Sequence, residues 1–185
     1  KYTDLFSDDG YTLFNEEIME EALKLSSELD FKVLTHCQPE YEIVSRDLEI
    51  LKRVGGNLHI CHISLEDTLN EIKKYKDDGY KFTCEVGPHH IYGYGLDYKV
   101  NPSFAEEKDM KALIDGIKDG YIDMIGTDHA PHTEDDKKNG SPGISNIEVA
   151  FAMVNKVFKE NNISLNKLSE MMSANPAKLL GLNQG

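Results

Sequence analysis

Apolar residues recur at helical spacing in one stretch and as short β-prone runs in the next, and this alternation continues along the chain. Residues 5–10 read as the tail of a strand entering a turn. In residues 14–29, Ile18, Met19, Ala22, Leu23, Leu25 and Leu29 follow a period close to that of a helix. Asn15 suits its cap, and Glu16 and Glu17 suit its positive end. Residues 31–35 form a compact β-prone run. Helical period returns over 41–54 (Ile43, Val44, Leu48, Leu51, Val54) and stops at Gly55 and Gly56. Residues 58–63 are predicted as a strand. Ser64 with Asp67 then resembles a capping box for a helix running to about Tyr75. Residues 81–86 make the next strand, and Ser103 with Glu106 reads as a second capping box, opening a helix that Gly120 ends. A strand leading to Asp128, an apolar helix over 146–161, a Ser164-capped helix to Ser173 and a last turn from Asn175 and Pro176 complete the series. Residues 87–102 and 130–145 show no period. The first of these carries His89, His90 and three tyrosines, and an aromatic loop of that length inside a domain is expected to be functional.

Alternating strands and helices predict an α/β fold with a parallel sheet. Chemistry in such folds collects at the C-terminal ends of the strands, and Asp9, His36, His62 and Asp128 all fall at such ends. The last of them sits in residues 122–132, Ile-Asp-Met-Ile-Gly-Thr-Asp-His-Ala-Pro-His, where an apolar run delivers a carboxylate and then imidazoles. Any one of these histidines alone reads as structural. Strand tips carrying Asp, His and His in succession, and then a later one carrying Asp, converge on one rim, and nitrogen and oxygen ligands of this kind suit zinc. His59 precedes His62 by three on a strand, so it is expected on the opposite face.

Length sets the scale: 185 residues support one domain, taken as 1–185. A net charge of −13 argues against binding nucleic acid through a broad basic surface. No apolar run approaches the ~20 residues of a membrane span, and the opening Lys-Tyr-Thr-Asp-Leu-Phe shows no signal-peptide pattern. Cys37, Cys61 and Cys84 form no CxxC pair and leave an odd thiol, which suits a reducing cytoplasm. Cys37 and Cys61 adjoin His36 and His62, but thiolate zinc-site spacing is missing.

Seven pieces occur in one order: Phe-Ser-Asp-Asp-Gly (6–10), Thr-His-Cys (35–37), His-Ile-Cys-His-Ile-Ser (59–64), Thr-Cys-Glu-Val-Gly-Pro-His-His (83–90), Val-Asn-Pro (100–102), Gly-Thr-Asp-His-Ala-Pro-His (126–132) and Pro-Gly (142–143). Together they resemble the dihydroorotases of the amidohydrolase superfamily, in the bacterial class with Asp where many relatives carry a carboxylated Lys. The resemblance implies a partial TIM (β/α)8 barrel, roughly strands 4–8 with their helices. It also implies a zinc-dependent cyclic amide hydrolase interconverting dihydroorotate and N-carbamoyl-L-aspartate in pyrimidine biosynthesis. On it, Asp9 resembles the carboxylate bridging two zinc ions, with Asp8 behind it. His36 and His62 resemble ligands of the second zinc, and Asp128 resembles a ligand of the first that also shuttles the proton. Asn101, His132, Pro142 and Gly143 resemble substrate-binding positions.

The departures are equally specific. No His-x-His pair for the first zinc occurs, and Ala105 stands where the family usually has a basic residue. The chain is therefore expected to be the C-terminal half of a barrel, inactive alone, binding one zinc or none, and needing its missing half or a homo-oligomer. Aspartate carbamoyltransferase is a partner found in the family. A hydantoinase or allantoinase is the neighbouring reading, although those usually carry Lys at the position of Asp9. A non-catalytic assembly subunit is a further reading, and an open flavodoxin-like sheet is the alternative fold.

Overall fold

The computed structural model describes residues 3–183. Five parallel strands, β1 (Leu5–Ser7), β2 (Lys32–Thr35), β3 (Leu58–Ile60), β4 (Thr83–Val86) and β5 (Met124–Ile125), lie side by side in chain order. The helices are α1 (Glu16–Leu29), α2 (Glu40–Val54), α3 (Glu66–Asp77), α4 (Pro88–Tyr92), α5 (Glu107–Asp119), α6 (Glu134–Lys138), α7 (Ala150–Glu160), α8 (Leu165–Ser169) and α9 (Asn175–Leu179). A π-turn over Glu170–Ala174 joins the last two, so the single helix expected to Ser173 is broken. Sequential order, with a helical crossover after each strand, gives the continuous curvature of a barrel wall. A flavodoxin-like sheet would need its strand order to reverse.

The core lies between this sheet and its helices. Leu23, Leu48, Leu69, Ile72, Leu113 and Ile117 from successive helices meet Ile60 and Val86 of the sheet, all fully buried. Helix α5 approaches α3 closely at Gly116, where a β-carbon would stand 2.7 Å from Leu69 Cδ2. No helix among the described residues is long and apolar enough to cross a membrane.

Several helix starts follow the sequence. Asn15 Oδ1 accepts from Ile18 N, and the Ser164 hydroxyl accepts from Lys167 N. Two do not. At α3 the N-cap is Leu65, and the expected Ser64–Asp67 box does not form. Buried Glu40, from the first turn of α2, takes that role by accepting from Ser64 N, Leu65 N and the Ser64 hydroxyl at 2.5–3.0 Å. At α5 the box shifts three residues, from Ser103 to Glu106, whose N–H donates to Asp109 Oδ2 at 3.1 Å. The second oxygen of Asp109 accepts from Glu66 N at the start of α3, at 2.9 Å. A carboxylate supplied by a neighbouring helix satisfies two donors at once, which a local hydroxyl cannot. The two stretches without period each hold a short helix, α4 and α6, and α7 begins four residues later than expected.

Candidate metal centre and substrate rim

Each acidic or imidazole group of the rim is delivered by the turn that ends a strand. After β1 the chain turns through Asp8, whose Oδ1 accepts from His36 N at 2.7 Å and whose Oδ2 accepts from Leu13 N at 2.8 Å. Asp8 is thereby committed to the backbone, and Asp9 is left to face the histidines. Asp9 Oδ1 lies 3.6 Å from His36 Nδ1 and 3.9 Å from His62 Nε2, and those two nitrogens are 3.0 Å apart. Two ligands at tetrahedral zinc distances stand about 3.3 Å apart, so the triangle fits a single divalent cation. Both rings are buried, while Asp9 is open to solvent.

The electrostatics run the same way. The His36 and His62 rings beside it hold the Asp9 carboxyl well below the usual carboxylate range. Burial opposes the charged form of His62, but Asp9, Asp128 and Glu85 outweigh it and lift its pKa. Burial lifts Asp128, against the pull of His62.

Backbone strain marks the same places. His62 (φ 34°) and Asp128 (φ 47°) both occupy the left-handed region that side chains avoid. The strand end before Asp128 passes against Glu85 at Gly126, where a β-carbon would have to displace the Glu85 carboxylate. Buried Asn146 pins this turn from below. Its Nδ2 donates to Thr127 O at 2.7 Å and approaches His89 Nδ1 at 3.2 Å, while its backbone N–H donates to His129 Nδ1.

Asp9, His36, Asn101, Asp128, Ala130, Pro142 and Gly143 line one cavity of about 120 Å³. Asn101 Nδ2 stands 2.9 Å from His36 Nε2. Gly143 (φ +136°) passes so close to Ala130 that a β-carbon would lie 2.5 Å from its carbonyl oxygen. His132 is exposed and lies against Gly143 outside this lining. A larger cavity, about 460 Å³, opens at the opposite strand ends beside Lys32, Asn57, Lys81 and Asp123, where none of the acid–imidazole rim residues lies.

His59 stands apart from the rim, as its place on the strand predicts. Its Nδ1 pairs with Thr83 Oγ1 at 2.7 Å and its Nε2 with Glu85 Oε2 at 3.4 Å, next to Cys61, whose thiol is pushed up by burial and by Glu85. Cys37 points its sulfur to Thr35 and Asp47, away from the rim. Sequence reading missed Asn146, Lys137 and the role of Gly126. Their signals are tertiary, and only the glycine after an apolar run gives a local hint.

Fold and rim together define a parallel β/α scaffold with a carboxylate–imidazole centre at its C-terminal strand ends. The chain belongs to the amidohydrolase family, whose profile matches residues 7–185. It is 43% identical to a dihydroorotase of Clostridium botulinum, over 97% of this chain and 48% of that protein. It is 33% identical to a dihydroorotase of Aquifex aeolicus, over 97% and 51%. The chain thus spans about half the length of these curated relatives. Its fold is shared with a D-hydantoinase from Thermus sp. (TM-score 0.87, 21% identity, 97% of this chain and 50% of that one). An L-hydantoinase from Arthrobacter aurescens gives a TM-score of 0.84 at 22% identity, with 97% and 50% covered.

Proposed function

We propose that this chain carries the second-metal half of a zinc-dependent cyclic amide hydrolase acting on dihydroorotate and N-carbamoyl-L-aspartate, in pyrimidine biosynthesis. The observation that carries the reading is the convergence of Asp9, His36 and His62 within ligand distance, beside a cavity that Asp9 and His36 line together with Asp128, Asn101 and Gly143. When bound, zinc at this set supplies Lewis acidity toward a carbonyl oxygen and makes water acidic enough to attack near neutral pH.

The protein's own groups divide the remaining work. Asp128 accepts the proton of the attacking water and returns it to the ring nitrogen as the amide C–N bond breaks. The water oxygen ends on the carbonyl carbon, and in the reverse direction the same carboxyl group carries the proton back. Asn101 and the Pro142–Gly143 backbone hold the ring, and His132 stands at the outer edge for the substrate carboxylate. The identity of 43% with a dihydroorotase supports this substrate pair over a hydantoin.

The test is zinc stoichiometry of the full chain beside Asp9→Ala, followed by turnover of dihydroorotate and of hydantoin by the zinc-loaded protein with its complementary half supplied. About one zinc per chain, lost in the variant, and turnover of dihydroorotate are expected. Absence of zinc sinks the ligand assignment. Zinc with preference for hydantoin moves the protein to the neighbouring specificity, and zinc without any turnover makes it a non-catalytic relative.

A further inference from the structure

Helix α6 is a single turn that lines no part of the cavity, yet one of its side chains ties together both loops that do. Its start is fixed by Thr133, which accepts from Asp136 N while its own N–H donates back to the Asp136 carboxylate. This turn presents Lys137 inward, half-buried, beside the neighbouring exposed Lys138. The Lys137 ammonium donates to three backbone carbonyls: Lys99 O at 2.7 Å, Gly143 O at 2.9 Å and Ser141 O at 3.1 Å. An ammonium has three donors, so each finds one acceptor. The charge also lies 4.1 Å from the centre of the Tyr98 ring. Lys99 O accepts from Gly143 N as well, at 3.1 Å, which closes the junction.

We propose that Lys137 is a positioning residue: its ammonium latches the loop bearing Asn101 to the loop bearing Pro142 and Gly143, so that the two close on the cavity as one unit. Without the cation, Ser141 O and Gly143 O lose this donor and Lys99 O keeps only Gly143 N, so a single backbone hydrogen bond is left to hold the junction. The arrangement demands a compact, tetrahedral donor, which the planar guanidinium of arginine does not match. The consequence for substrate rests on the reading that this cavity takes the ring. The latch itself does not.

Amide hydrogen exchange on the full chain tests it, with Lys137→Met against Lys138→Met. Lys138 reaches only the acidic side chains of its own helix, so its variant controls for lost charge. Lys137→Met is expected to speed exchange on the order of tenfold or more in residues 97–101 and 139–144, leaving β2–β4 unchanged. Lys138→Met stays at the wild-type rate. Added ethylammonium restores protection to Lys137→Ala, and Lys137→Arg does not regain it. Unchanged exchange in Lys137→Met, an equal effect from Lys138→Met, or opening that spreads through the sheet would each overturn the latch. Where dihydroorotate turns over, KM rises in Lys137→Met with kcat nearly kept, and a fall confined to kcat refutes the positioning role. A wild-type chain that neither binds nor turns over dihydroorotate counts against the hydrolase reading alone, since exchange still decides the latch.

Discussion

Two histidine pairs in this molecule have nearly the same burial and opposite chemistry. His36 and His62 are 4% and 3% exposed, and His89 and His90 are 1% and 3% exposed, so burial does not separate them. Their neighbours do. His36 and His62 come from different strand ends, meet at nitrogen–nitrogen distance, and share Asp9, with Asp128 and Glu85 behind. His89 and His90 are consecutive, with ring centroids 4.1 Å apart, and pack edge-on against Phe104. Their polar partners are neutral, the amide of Asn146 and the carbonyl of Pro102. His89 Nε2 and His90 Nδ1 are buried without a hydrogen-bond partner among the described residues. Charge is therefore supported at His62 and excluded at the second pair, where burial drives His89 down to about 4 and His90 to about 3. Adjacent histidines in a sequence do not make a ligand set. A carboxylate within reach does.

The largest break in this comparison is a change of ligand. His62→Ala is expected to weaken zinc binding at least ~100-fold, about 2.7 kcal/mol, read by titration against a competing chelator. His90→Asn is expected to leave the affinity where it was. Equal losses from the two would mean that both pairs feel the metal.

Acid titration reads the second pair. A histidine whose folded pKa is depressed contributes stability above its unfolded pKa of about 6.5 that is lost as pH falls toward the folded value. By pH 5 each of His89 and His90 costs about 2 kcal/mol. Asp47 acts in the opposite sense. Burial pushes it up to about 6, so its folded form takes up a proton before the unfolded one, returning roughly 1 kcal/mol over the same interval. His62, Glu40 and Asp128, whose pKa values are also raised, oppose the loss in the same sense as Asp47, so the pair is read by difference: between pH 7 and pH 5 the metal-free chain is expected to lose about 2 kcal/mol more than its His90→Asn variant in urea unfolding. An equal pH dependence in the two would contradict the neutral assignment of His90.

Much of this was legible in the sequence, and the limits have physical causes. The strand–helix alternation and the placement of Asp9, His36, His62 and Asp128 at strand ends follow from local periodicity, which parallel pairing turns into spatial convergence. The α3 cap was not legible, because Ser64 gives its hydroxyl to Glu40, 24 positions away, and a buried carboxylate outcompetes the local box. Asp8 and Asp9 were inseparable as letters. Only the backbone donors of His36 and Leu13 commit the first of them. His132 stands apart from the cavity because the turn places it behind Gly143, a matter of loop geometry that spacing does not encode. Lys137 gave no signal in the sequence, since its partners are backbone carbonyls and any residue type supplies those.

Asn146 joins the two regions, and its removal is the next smaller effect. Asn146→Ala strips the donor from Thr127 O and from His89 Nδ1, leaving both buried. The expected cost is about 1–3 kcal/mol, measured by urea midpoint. Asp128 should also become looser, seen as faster exchange at residues 127–129.

The smallest change tests whether the two pairs are independent. Phe104 touches both rings of the second pair edge-on, with centroid distances of 5.8 and 6.1 Å. Phe104→Leu keeps an apolar side chain there and removes the aromatic contacts, for an expected loss of about 1 kcal/mol. That loss should be visible in the urea midpoint at pH 7, with zinc affinity unchanged. The rings of His89 and His90 gain room and water in this variant, so their depressed pKa values should rise and the stability lost between pH 7 and pH 5 should be smaller. A fall in zinc affinity alongside would instead show that packing around Phe104 reaches the rim through Asn146, and the neutral pair would then be part of the scaffold that holds Asp128 in place.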